Sequence, residues 1–443
     1  MTAGNSPLTH TGHRTGHGGG PTDPSHDEEL RRGILRTAIT RPLAWLLCLV
    51  FLGLIYLPPV VQALLEWRND EPSMLLDVFT RAPTRDNFKQ YEDDLENASY
   101  PKAWVQPRLQ LVLTRWGRVG NKKAVVGTGK DARGGWLYYA PGVLAVAGPG
   151  FLEAKIHEVR IKEALDAGEP AVHPDPRPAI LEFHRALRAR GIHLILFPVP
   201  DKATMQPLQL HGRGADKGEL PAAANRDMYR LSMDLLEDHS VLTFDARPPV
   251  LKRGEPPRYL TQDTHWTPEW MEQVANQLAA YVKQHTPLTA VTAPSWTVAE
   301  LPVARVGDIV DMLKLPEGQT YFRPQVVTVH QVRDADGQPW APDEKADVLL
   351  LGDSFTNVFS LAPMGWGEAA GLAPHLARAL GRPVDVMAQN DSGAFATRKL
   401  LSEALNAGED RLAGKKLVIW QFAARELSVG DWRPYSYHLR PSN

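Results

Sequence analysis

Cysteine is almost missing from this chain: Cys48 is its one thiol. A single thiol forms no internal disulfide and builds no cysteine metal cluster. An excess of charge of one sign is missing as well. Forty-nine Lys and Arg against 51 Asp and Glu leave a net charge of −2, so nothing argues for nucleic acid or another strongly charged partner. No internal repeat is present, and 37 prolines with 35 glycines imply many loops and exclude a coiled coil or a solenoid. The length of 443 residues is enough for two or three units with a sizeable core.

Charge is also missing from one long stretch. Between Arg41 and Glu66 no residue is ionisable at neutral pH except Cys48 and Tyr56, whose ordinary forms are neutral. A run of about 20 apolar residues crosses a bilayer as a helix, and residues 42–65 are expected to form such an anchor. Arg31, Arg32, Arg36 and Arg41 precede it, and only Arg68 follows closely. The positive-inside rule then keeps the N-terminus in the cytoplasm and exports residues 70–443. A cleaved signal is the rival reading: Arg31-Arg32 resembles a twin-arginine signal, and cleavage at Val61-Gln62-Ala63 fits a processing site. The run is longer than the usual apolar core of a signal, about 7–15 residues, which favours the anchor. Ahead of it, residues 1–41 form a tail with a basic flank. Its first thirty residues are rich in Gly, Thr, Ser, Pro and His, and too polar to fold. His10, His13 and His17 read as part of a solvated tail rather than a metal site.

The exported part begins with a mixed region, residues 70–170. It holds a polar helical stretch near Asp86 to Ala98, a turn at Gly134-Gly135 and a short strand from Trp136 to Tyr139. From Pro176 the pattern changes. Helical stretches ("PRPAILEFHRALRARG", residues 222–237, "PEWMEQVANQLAAYVKQH", "GLAPHLARALG", residues 396–406) alternate with apolar strands ("IHLILFPVP", "VLTFDAR", "DVLLLGDSF", "PVDVMAQN", "KLVIWQF"). That alternation predicts an α/β fold, a parallel sheet flanked by helices on both faces. Residues 286–345 interrupt it with Thr-, Val- and Pro-rich sequence, read as an inserted β-rich patch. Sheets of this kind carry their sites at the carboxyl ends of the strands.

One such strand breaks off at Gly352-Asp353-Ser354. Gly352 permits a tight turn, and Ser354 then falls at a strand-to-helix junction where main-chain N–H groups are available to an oxyanion. A plain helix cap is the competing reading of Ser354. A serine nucleophile needs a base and a group that orients the base. "YLTQDTHWTPEW" supplies both types: Asp263 and His265 stand two apart, and in an extended segment they point the same way. A capping Asp beside a surface His is the alternative. A metal pair is disfavoured, because no third ligand has a clear spacing. No metal and no cofactor are expected.

"QDTHWTPEW", followed about ninety residues later by "LLLGDSF", resembles the periplasmic alginate O-acetyltransferases of the AlgJ/AlgX type, which are SGNH-hydrolase-like exopolysaccharide acetyltransferases. The likeness extends over residues 75 to 430, through "GGWLYY", "FPVPDKATMQP", "RVGDIVDMLKLP" with "RPQVV", and "VIWQFAARELSVGDW". It implies an SGNH-hydrolase-like fold with Ser354 as nucleophile, His265 as base and Asp263 as its orienting acid. Ordinary SGNH hydrolases place the serine first, so the order Asp, His, Ser agrees with the acetyltransferase branch. The implied function is O-acetylation of an exported polysaccharide through an acetyl-serine. The implied partner is a multi-pass membrane acyltransferase that supplies acetyl groups at the cytoplasmic membrane. An acetylesterase using the same triad, and a non-catalytic polysaccharide-binding subunit, are the alternatives. Softer candidates are Asn390 as an oxyanion donor, and Lys202, Arg425, Trp266 and Trp136 as sugar-binding groups. For these, loop-capping, turn and core roles compete.

Overall fold

The computed structural model describes residues 40–129, 135–212, 219–222, 225–289, 291, 295–390 and 393–438. Gly134 and the three tail histidines lie outside the described residues. The chain divides into two compact units, with the boundary after Trp104. In the first, Arg41–Arg68 is a 28-residue helix with Pro58 and Pro59 inside it. It is long and apolar enough to cross a membrane, and its Leu, Phe and Trp side chains are exposed along its length. Arg85–Ala98 is a second helix, capped by Thr84.

The second unit is built on a five-stranded sheet. Its strands are β1 (His193–Val199), β2 (Leu242–Thr243), β3 (Val348–Gly352), β4 (Asp385–Ala388) and β5 (Leu417–Ala423). They lie in the order β4-β3-β5-β1-β2, and every neighbouring pair is parallel. Side chains alternate along the strands. Ile195, Phe197, Leu350 and Ile419 face one core, and Leu194, Leu196, Leu349, Leu351, Val418 and Trp420 face the other. Helices Pro268–His285 and Leu372–Leu380 cover the first face through Val274, Leu278, Val282 and Leu376. Helices Pro176–Arg188, Asp227–His239 and Phe395–Asn406 cover the second through Phe183, Leu235 and Leu401. The parallel α/β sheet expected from the sequence is therefore present, with all five strands where the apolar runs placed them.

Residues Thr297–Arg305 and Gln325–Arg333 pair antiparallel along nine positions, with the short helix Asp308–Met312 between them. This is the inserted β-rich patch. Among the helices of the mixed region that were not foreseen are Ala140–Ala147 and Ala154–Asp166. The first follows straight on from strand Leu137–Tyr139 with Pro141 in its first turn. Proline is tolerated there because its missing N–H is one the helix leaves unpaired anyway; in the sequence it reads as a break.

Candidate active site

The carboxyl ends of four neighbouring strands meet here: β3 leads into Ser354, β1 into Asp201 and Lys202, β5 into Arg425, and β4 into Asn390. The turn after β3 is fixed by its own chemistry. The N-cap of the short helix Ser354–Asn357 is Asp353, whose Oδ1 accepts from Phe355 N at 2.9 Å. That leaves the Ser354 hydroxyl unused as a cap, contrary to the capping alternative. Asp353 is held in turn by β5: its Oδ1 accepts from Gln421 Nε2 at 2.7 Å, its Oδ2 accepts from Ala423 N at 2.7 Å, and its N–H donates to Gln421 Oε1 at 3.0 Å. Thr356 Oγ1 donates to the same Gln421 oxygen at 2.7 Å. Gly352 is required by close approach, since a Cβ there would lie 2.2 Å from Thr356 Oγ1.

Asp263 and His265 are both buried, so the reading of a capping acid beside a surface histidine is excluded. The cap of helix Pro268–His285 is Thr267, which accepts from Trp270 N. Asp263 Oδ1 accepts from His265 Nδ1 at 2.6 Å and from His265 N at 3.1 Å. The second contact shows how the pair is brought together. The segment is bent rather than extended, and Asp263 bonds the main chain two residues on, a local turn that aspartate forms readily. Strand-like alternation, the expected cause, is not the one at work. Asp263 Oδ2 accepts from Trp366 Nε1 at 2.9 Å and from Asp308 N at 3.1 Å. Every contact to the carboxylate is thus a donor.

These donors and the imidazole set the charges. Burial by itself pushes Asp263 up, but the His265 charge and the hydrogen bonds from His265 and Asp308 outweigh it and hold the carboxyl well below the usual range. Burial pulls His265 down, and Asp263 more than reverses this, leaving the imidazole above its ordinary value. His265 Nε2 is buried and, among the described residues, has no hydrogen-bond partner. The His265 ring stands edge-on to Phe355, 4.9 Å between centroids, so the histidine lies against the residue that follows Ser354. The half-buried Ser354 is not hydrogen-bonded to Nε2.

Asp308 was not singled out in the sequence, although it stands in "RVGDIVDMLKLP". Its Oδ1 accepts from Thr264 N at 2.7 Å, and one ligand atom each of Asp263, His265 and Asp308 lie within 4.8 Å of one another. Gly307 lets this segment approach, since a Cβ there would lie 2.2 Å from Gln262 O. Burial, then the Asp263 charge, push the Asp308 carboxyl up to about 6. The third ligand that was missing from the spacing argument is therefore present in space. One of its oxygens and both Asp263 oxygens accept from N–H donors.

The softer candidates divide. Trp266 is fully buried between Phe355 and Phe197. The sugar-stacking reading of Trp266 is corrected: no face of this ring reaches solvent. Trp136 is likewise core. Lys202 is buried and donates to the carbonyls of Thr261 and Asp263, both at 3.0 Å, with the rings of Trp136 and Tyr138 beside it. These are the contacts of a residue that holds the Asp263 loop, not of one presented to a sugar. Arg425 pairs with Asp201 at 3.6 Å and lies over the rings of Tyr139 and Phe355, so it adjoins the Ser354 turn. Asn390 is exposed, and its Oδ1 accepts from Asn357 Nδ2 at 2.8 Å, which sets its amide beside the Ser354 helix.

Comparison with known proteins follows the same lines. The sequence profile of the family described as SGNH hydrolase-like domain, acetyltransferase AlgX, matches residues 132–424. The chain is 26% identical over 296 residues to the probable alginate O-acetylase AlgJ of Pseudomonas fluorescens, covering 64% of this chain and 70% of that protein. It is 29% identical over 262 residues to the protein of the same description from Pseudomonas syringae pv. tomato, where it spans 62% of the relative, under two thirds of its length. Among solved structures, the O-acetyltransferase domain of Pseudomonas putida AlgJ superposes with a TM-score of 0.47 at 20% identity, over 69% of this chain and 93% of that one. Pseudomonas aeruginosa AlgX gives 0.49 at 15% identity, over 72% and 67%. With the profile covering well over half of the sequence, this chain belongs to the family of SGNH hydrolase-like acetyltransferases of the AlgX type.

Proposed function

We propose that this enzyme transfers acetyl groups to hydroxyls of an exported polysaccharide through an acetyl-Ser354 intermediate. The observation that carries the reading is the buried Asp263–His265 pair, whose Nε2 is unpartnered beside the Ser354 turn. Asp263 accepts from Nδ1–H and so leaves Nε2 as the basic nitrogen. Nε2 takes the Ser354 proton as Oγ attacks the carbonyl carbon of an acetyl ester. The proton then passes to the departing alkoxide, and the acetyl group stays on Oγ. A sugar hydroxyl repeats the attack on acetyl-Ser354, losing its proton to Nε2, and Ser354 leaves with that proton. The Asn390 amide, its oxygen held by Asn357, and the main-chain N–H of Ser354 are the donors offered to the developing oxyanion.

Family membership and the alginate O-acetylase description of the relatives support a polysaccharide acceptor. The helix Arg41–Arg68 supports a single membrane span. In this reading residues 42–65 stay in the cytoplasmic membrane and residues 70–443 face outward. There the acetyl donor is a multi-pass membrane acyltransferase, because acetyl-CoA is confined to the cytoplasm, and the tether keeps the domain near that supplier.

The test is mass spectrometry of the full chain after incubation with a simple acetyl ester. An acetyl adduct on the Ser354 peptide, absent in Ser354→Ala, is expected; equal labelling of the variant removes Ser354 from the role. Adding an oligosaccharide then separates acetylated sugar from released acetate, and release of acetate alone would make the enzyme an esterase.

A further inference from the structure

Helix Tyr100–Val112 continues as a wider turn, Leu113–Gly117, and is ended by Arg118 in the left-handed conformation. Within the second unit, Val105, Leu109, Val112 and Trp116 follow one another at steps of four, three and four, which places them on one helical face. All four are exposed, and Trp116 is 77% exposed. The opposite face is the one that packs. Thr114 is buried and donates to Val119 O at 3.0 Å, and Gln110 Nε2 donates to Thr114 Oγ1 and to the carbonyls of Val119 and Gly120. The stripe therefore points away from its own unit by construction.

Its charge is equally one-sided. Between Val105 and Lys123 stand Arg108, Arg115, Arg118, Lys122 and Lys123, and no Asp or Glu, in a chain whose overall charge is near zero. Arg115 lies over the Trp116 ring at 5.5 Å, and Arg118, Lys122 and Lys123 are exposed. An apolar stripe with an interfacial tryptophan, flanked by bases alone, complements an anionic lipid surface: the stripe enters the headgroup–acyl boundary and the bases meet phosphate.

We propose that the Val105–Lys123 face lies flat on the bilayer as a second membrane contact, binding the headgroups of anionic lipids. The proposal rests on the anchor reading only for proximity, since a chain anchored through residues 42–65 stays tethered to a membrane. Such a contact restrains a domain that a single tether leaves free to turn, and holds it at the surface where its donor resides.

The experiment uses the full chain in a Cys48→Ser background, with Trp116→Cys carrying an environment-sensitive fluorophore and Glu317→Cys, exposed in the same unit, as control. The chain is reconstituted into phosphatidylcholine vesicles with or without phosphatidylglycerol, and carbonate extraction first confirms integration; failure at that step counts against the anchor, not the face. A blue shift at position 116 that requires phosphatidylglycerol, is lost in Arg115→Glu/Arg118→Glu/Lys122→Glu, and is absent at position 317 is expected. An equal shift in both lipid mixtures means that a segment of the chain covers the face, and overturns the proposal. No shift in either mixture overturns it too, as does a shift that arises only when a second membrane protein is added.

Discussion

Replacing Asp263 by asparagine changes one atom of a carboxylate that receives four hydrogen bonds. His265 Nδ1, His265 N, Trp366 Nε1 and Asp308 N all donate to it. An amide offers one acceptor oxygen and one NH2 group, so whichever way it turns, one or two donors face another donor. Placing the oxygen toward Trp366 and Asp308 keeps two of the four bonds and turns the NH2 toward Nδ1. The ring then carries its proton on Nε2, where it cannot take the Ser354 proton. Placing it toward Nδ1 keeps the tautomer but leaves the buried indole N–H and the Asp308 N–H unpaired, at about 1–3 kcal/mol each. Either way the imidazolium loses the charge that raises it. The same change in the serine-protease triad lowers kcat by roughly 10⁴, and a loss of about 10³–10⁴ in acetyl-transfer rate is expected here. The assay is single-turnover acetylation of Ser354 followed by mass spectrometry, with circular dichroism to show that the variant is folded. A folded variant within tenfold of the parent would refute the reasoning and leave Asp263 as a structural brace of its loop.

Other expected outcomes follow from the same contacts. His265 is raised above 6.5 by Asp263, so the rate falls as pH drops through that raised value; a rate–pH profile with its acid limb below 6.5 would contradict it. Stability responds in the opposite sense for the two partners. The His265 contribution is full below about 6.5 and fades as pH rises through the folded value, while that of Asp263 is present above about 3.9 and is lost on acidification; thermal melts of the parent and Asp263→Asn across pH check both. Asp308→Asn keeps the main-chain donor to Asp263 and removes a negative charge near His265, so the acid limb shifts to lower pH with little change in melting temperature; an unmoved limb counts against that coupling. Gln421→Leu leaves the Asp353 N–H without its acceptor and costs about 1–3 kcal/mol, measured by urea unfolding, together with slower acetylation of Ser354.

The strands and flanking helices were legible because each repeats one simple pattern. Five apolar runs of β character, separated by helices of period 3.6, fit a parallel sheet buried on both faces. Trp270, Val274, Leu278 and Val282, read in register, are all buried in one core. The strand-end placement of Ser354 was legible for the same reason. Less was visible wherever proline marks the start of a helix rather than its end, as at Pro141, and wherever an aromatic residue beside a motif belongs to the core. Trp266 follows His265 directly, yet neighbours in a bent segment point to different sides, and its side chain fills the space between Phe355 and Phe197.

The partners of Asp263 were illegible for a deeper reason. Trp366 and Asp308 are 103 and 45 residues away, the first in a loop and the second opening a five-residue helix, too short for periodicity to show which side chain faces inward. Gly307 and Gly352 are the residues that carry this information, since a Cβ would collide with the Gln262 main chain at the first and with the Thr356 side chain of the same turn at the second. Each also stands directly before an acid that braces the site, Asp308 and Asp353. A glycine directly before an acid is thus a readable sign of a crowded turn, with the acid taking N–H groups of the segment packed beside it. In this sequence the pair at 352–353 was read for the hydroxyl that follows it, and the pair at 307–308 was passed over because it has none. Asp353 is bonded to β5, and Asp308 to the loop of Asp263 and His265. By these bonds the inserted hairpin region and the central sheet each hold one half of the site, and the two halves meet where the His265 ring stands against Phe355.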